Sequence, residues 1–252
     1  MELTNNQQQI IMETAIVRST EGGICVSICI KDPYPGIKLS SNSTLGGNQR
    51  VLKSQTLQRC GCGVVAALDL ARYLHLYHCS CKTSFFIGVE DAEHLPLAIY
   101  DLCAMRMQRN FVPALYPIGT TVFSLSAGLN QYFKRYHIPL KASWGVSKEN
   151  VWTEMERMLR QNFPVILSIG HQFPGLGTGE GLPLYRCQGE QMVKAAHVRG
   201  HYVTVVAMSD HWLKVTSWGQ IYYISRKEFL CYRDQTSLNL LCNMLQLRAA
   251  ES

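Results

Sequence analysis

Apolar positions along the chain change rhythm near Pro164. Upstream of it they recur at helical spacing. The stretch from Cys62 to about Tyr77 sets Val65, Leu68, Ala71 and Tyr73 near one face, with no glycine or proline beyond Gly63. A second helical stretch is "DAEHLPLAIYDLCAMRMQRN" (91–110). A third is "TVFSLSAGLNQYFKRYHI" (121–138), with Leu125, Leu129 and Phe133 at i, i+4 and i+8. A fourth is "SKENVWTEMERMLRQN" (147–162), where Ser147 is the expected N-cap and Asn150 stands where a capping box carries Glu or Gln. Downstream of Pro164 the pattern becomes that of strands: "PVILSIG", then "HYVTVVAM", "HWLKVTSWG" and "QIYYIS", rich in β-branched and aromatic residues and separated by short turns. "RKEFLCYR" reads as a short helix or turn, and "SLNLLCNMLQLR" closes the chain.

Between these elements lie less regular segments. Residues 1–22 read as a polar arm with a short helix around Gln7–Thr14, followed by a strand in "GGICVSICIKD". The Pro, Gly, Asn and Ser content of "DPYPGIKLSSNSTLGGNQ" marks a long loop. Residues 171–200 form a second glycine-rich stretch, expected to be a mobile loop that shapes a substrate groove. Helices followed by an antiparallel sheet give an α+β fold. The expected organisation is one domain over 1–252: an arm, strand and loop (1–50), a helical lobe (51–162) and a β lobe (163–252).

Composition adds limits. The chain has 252 residues, of which 47% are hydrophobic and 17% charged, ample for a real core. No apolar run approaches the roughly 18 residues needed to span a bilayer. The N-terminus lacks a basic start followed by an apolar stretch, so a cytoplasmic protein without membrane partners is expected. There the ten cysteines read mostly as small buried residues rather than a disulfide framework. The net charge of +6 is spread without a block of five, and no nucleic-acid partner is expected.

The chemistry concentrates in "QRCGCGVVAALDLARYL" (58–74). Cys62 stands between two glycines at the head of a helix, where unpaired N–H groups and the macrodipole favour a thiolate. Its own N–H can hold an oxyanion, and Gln55 or Gln58 can supply a second donor. A base must come from elsewhere in the chain. His201 opens a strand directly after Gly200; His171 and His197 are its rivals. The paired strand brings Thr216 or Ser217 alongside, where a hydroxyl can orient the ring. A zinc site built on Cys60, Cys62, Cys79 and Cys81, near His75 and His78, is the competing reading, but the intervening helix would hold the two pairs about 20 Å apart.

These residues resemble papain-like cysteine peptidases, nearest the bacterial peptidases with a Gly-Cys-Gly nucleophile turn that are related to those cleaving double-glycine leader peptides. The likeness rests on Gln55 or Gln58, Gly61-Cys62-Gly63, Gly200-His201-Tyr202 and Ser217-Trp218-Gly219. It implies a helical lobe carrying the cysteine, a β lobe carrying the histidine, and a cofactor-independent hydrolase acting on a peptide or protein substrate through Cys62 and His201. The family's third member is usually Asn or Asp, where this chain offers Thr216 or Ser217. The related alternatives are a Cys-dependent acyltransferase and a silent module that binds a peptide or protein.

Overall fold

The computed structural model describes residues 28–170, 180–189 and 191–250. The expected arm and its helix lie outside them, as does the first part of the expected N-terminal strand. Helix α1 (Gln55–Cys60) opens on Ser54, whose hydroxyl accepts from the Leu57 amide. It ends at Gly61, and α2 (Cys62–Tyr77) begins on the next residue. The other helices are α3 (Leu97–Asn110), α4 (Val122–Arg135), α5 (Val151–Arg160) and α6 (Arg226–Thr236). The strands are β1 (Ile28–Cys29), β2 (Gly36–Lys38), β3 (His94–Pro96), β4 (Leu140–Trp144), β5 (Val165–Ile169), β6 (Leu182–Gln188), β7 (Gln191–Val198), β8 (His201–Met208), β9 (Trp212–Ser217), β10 (Gln220–Ser225) and β11 (Leu245–Ala249).

The fold is α+β. Seven strands form the main antiparallel sheet in the order β1-β8-β9-β10-β6-β7, with β5 also paired to β8. Every residue of β5 and β8 is buried, because α2 and α5 pack against both and β8 lies among β1, β5 and β9. Helix α2 is enclosed between β8 and the pair α3 and α4. Val64, Ala67, Leu68, Leu70, Tyr73 and Leu74 on it are excluded from solvent. Burial on all sides is what a central helix requires, and each fully buried Leu contributes about 1.5–3 kcal/mol through removal from water. Among the described residues no helix is long and apolar enough to cross a membrane.

Several local expectations need correction. Ser147 does not cap α5; Asn150 holds that position, without a side-chain bond to the helix. The glycine-rich stretch 171–200 is not one loop. Residues 182–198 form the hairpin β6–β7, which joins the main sheet through β10; residues 171–179 lie outside those described. Within the segment 32–49, β2 pairs in parallel with β3, a contact between chain segments more than fifty residues apart. Strand β4 pairs with β11 near the end of the chain.

Candidate active site

His201 is the first residue of β8 and sits opposite Ile169 on β5. The neighbouring β9 runs antiparallel to it and ends at Ser217. There the imidazole Nε2 lies 2.7 Å from the Ser217 hydroxyl. Trp218 and Gly219 link β9 to β10 in a two-residue turn closed by the Ser217–Gln220 pair, and both have positive φ, 49° and 75°. Turns of this kind match the twist of a hairpin, yet they favour Gly or Asn at the first position. A tryptophan held there is a strained residue with a use. Its ring stacks on His201 at 4.6 Å between centroids, and the Arg50 guanidinium covers its other face at 4.3 Å. The three groups form a stack that closes the imidazole off from water. Burial, followed by the nearby Arg50 charge, lowers the His201 pKa to about 4.

Cys62 forms the opposite wall. Gly61 leaves no space for a side chain: a Cβ would stand 2.4 Å from the Leu57 carbonyl. On Gly63 a Cβ would meet Thr120 at 2.7 Å. The two glycines therefore let α1 and the 120 region close around the helix end. Sequence reasoning expects the helix N-terminus to draw the thiol pKa down; burial outweighs it and pushes the Cys62 thiol up. Backbone amides of Tyr202, Gly63 and Cys62 itself partly offset that rise. The contact with Tyr202 places the sulfur beside the residue that follows His201. Cys62, His201, Thr216, Ser217 and Trp218 line one narrow cleft, with a cavity volume of about 20 Å³.

The glutamines behave otherwise than expected. Gln55 is exposed on α1, and the exposed Gln58 spends its amide on the Leu52 carbonyl at 2.6 Å. Neither lines the cleft. Gln49 does, thirteen residues before Cys62. It is buried, and its Nε2 donates one of its two N–H bonds to the Gln58 carbonyl at 2.9 Å. The sequence signal for it was weak, since α1 intervenes between the two residues.

The chain fits no protein-family model and shows no significant similarity to a curated protein. The site must therefore be read from its own geometry.

That geometry separates the two hydroxyl candidates. Ser217 meets the imidazole, whereas Thr216 pairs across the ladder with Thr204 and lies beside Gly46. Of the rival histidines, His197 sits on β7 at 3.4 Å from Glu180 and does not line the cleft; His171 lies outside the described residues. Cys60 and Cys62 stand at one end of α2, Cys79 and Cys81 beyond the other, about 24 Å apart at the rise of a helix. Among the described residues no three metal-ligating side chains gather in one place.

One further cleft residue was not foreseen. Asp69, two turns along α2 from Cys62, is buried. One carboxylate oxygen accepts from the Gly47 amide at 2.6 Å and the other from the Tyr100 hydroxyl at 2.7 Å. Burial raises its pKa to about 7 against the pull of these donors.

Proposed function

We propose that this protein is a cysteine hydrolase of papain-like fold, acting in the cytoplasm on peptide or isopeptide amide bonds. The observation that carries the reading is the convergence, in one cleft, of a cysteine heading the central helix and a histidine oriented by Ser217 on the rim of the sheet.

In the proposed tautomer Nε2–H donates to the Ser217 oxygen, and Nδ1 keeps the lone pair that serves Cys62 as base. As Sγ attacks the substrate carbonyl, the thiol proton passes to Nδ1. The carbonyl oxygen becomes an oxyanion, which the Cys62 N–H and the Gln49 amide stabilise. Collapse breaks the C–N bond, and the imidazolium gives its proton to the departing amine. A thioester on Cys62 remains. His201 then takes a proton from water, hydroxide attacks the thioester, and the free acid leaves as the thiol is restored.

The raised thiol and lowered imidazole describe a resting pair that is neutral, in which the proton moves only when substrate arrives. That same neutrality, with a hydroxyl as the orienting group, favours one second reading: a silent module of this fold that binds a peptide. Denatured casein separates the two. New amino termini released by the wild-type protein and absent with Cys62→Ala support the hydrolase. Casein bound but left intact by both proteins supports the module.

A further inference from the structure

Gln49 reaches the cleft on a strap, residues 44–50, whose Gly46 bridges Gly36 on β2 and whose end is a short 3₁₀ turn, Gln49–Val51, capped by Asn48. Further contacts tie it down. The Leu45 amide donates to the Gly219 carbonyl at 3.1 Å, and the Gly46 amide to the Pro35 carbonyl at 2.9 Å. Arg50 rests on Trp218. Beneath the middle of the strap stands Asp69, which receives the Gly47 amide two residues before Gln49. The fit leaves no slack: a Cβ on Gly47 would come within 1.9 Å of the Tyr100 hydroxyl. A Cβ on Gly46 would lie 3.1 Å from the Asp69 carboxylate.

An aspartate between Leu68 and Leu70 on a buried helix is costly unless its oxygens are occupied. Among the described residues no lysine, arginine or histidine forms an ion pair with it. Its hydrogen bonds go to the strap and to Tyr100, which itself carries the strap at Gly47. A carboxyl in this place lines the cleft and holds the path of residues 46–49. Cys62 and Asp69 lie on the same helix seven residues apart, so the nucleophile and the strap share one rigid reference.

We propose that Asp69 is a positioning residue for the oxyanion site: by holding the Gly47 amide it sets the Gln49 side chain against Cys62. The inference rests on the hydrolase reading above and adds a residue to it. Asp69 touches no reacting atom. Its effect passes through Gln49 and falls on steps that create an oxyanion.

Two reagents divide those steps. 4-Nitrophenyl acetate acylates the thiol through a tetrahedral oxyanion; iodoacetamide alkylates it by direct displacement and forms none. Asp69→Ala is expected to slow acylation of Cys62 about tenfold or more while alkylation changes less than about twofold, as befits a partial loss of one oxyanion donor. Asp69→Asn recovers most of the rate, because its oxygen can face Gly47 and its amide N–H the Tyr100 oxygen. Adding Asp69→Ala to Gln49→Ala lowers acylation no further, since the two act as one unit. If Asp69→Ala does not fold, Tyr100→Phe gives a smaller loss of the same selective kind. Equal loss of both rates, no loss of either, or an additive loss on the Gln49→Ala background overturns the role of Asp69 and leaves the hydrolase standing. A wild-type Cys62 that the ester acylates no faster than the exposed Cys79 overturns the hydrolase reading, and this role with it.

Discussion

The two walls of the cleft are built by different means. The histidine wall is regular: His201 and Ser217 sit at matched ends of neighbouring strands, and the turn that joins β9 to β10 delivers Trp218 onto the imidazole. His201 is paired with Ile169 on β5 and Ser217 with Gln220 on β10. The cysteine wall is regular only along α2. Its second half is the strap bearing Gln49, held by one bridge to β2, a short 3₁₀ turn and hydrogen bonds to Asp69, Pro35, Gly219 and Gln58. On the proposed reading, a site of this kind keeps its base when one contact is lost, but loses its oxyanion donor.

That contrast ranks the expected outcomes. The largest belongs to the strap: Gln49→Ala lowers kcat/KM for an activated ester about 100-fold, the usual effect of removing one oxyanion donor, with thermal stability little changed. Gln55→Ala and Gln58→Ala, outside the cleft, leave the rate within about twofold. On the opposite wall, Ser217→Ala costs about tenfold, because Trp218 and the strand still hold the ring when the hydroxyl is gone. A smaller effect concerns pH. His201 is neutral down to about pH 4, so the acid limb of kcat/KM lies well below the usual histidine range. Arg50→Gln removes the charge stacked beyond Trp218 and moves that limb upward by about half a unit, read from a pH–rate profile.

The smallest is seen in stability rather than rate. Asp69 holds its proton up to about pH 7 when folded and releases it near pH 4 when unfolded. The folded state therefore binds the extra proton between those values, and stability falls as pH rises through that window. Asp69→Asn makes the slope between pH 5 and 7 less negative in urea titrations followed by circular dichroism.

The same contrast explains what could be read from sequence. Helix α2 and the three strands β8, β9 and β10 follow from local periodicity, and Cys62, His201 and Ser217, singled out by their chemistry, line one cleft. Antiparallel neighbours joined by short turns leave little choice of register, so a hydroxyl sixteen residues after His201 returns to its side. Gln49 was missed because the strap before it is set by bonds from Leu45, Gly46 and Gly47 to Gly219, Pro35 and Asp69, none of them near in sequence. The hairpin β6–β7 was missed because it carries Pro183, Arg186 and Lys194 on a largely exposed ribbon, where apolar alternation is not required. Strand β4 depends on β11, about a hundred residues away. Nor does the end of a helix by itself fix the thiol pKa: at Cys62 the depth of burial overrides the N-terminal amides.

The central claim is that Cys62 and His201 act as one pair. The most direct test is to quench reactions with 4-nitrophenyl acetate at short times and map the acetyl group by mass spectrometry, in the wild-type protein and in His201→Ala. The account predicts acetyl thioester at Cys62 ahead of every other cysteine in the wild type, and formation slowed at least about 100-fold in the variant. Acetylation spread among the cysteines, or unchanged at Cys62 without the imidazole, would contradict it.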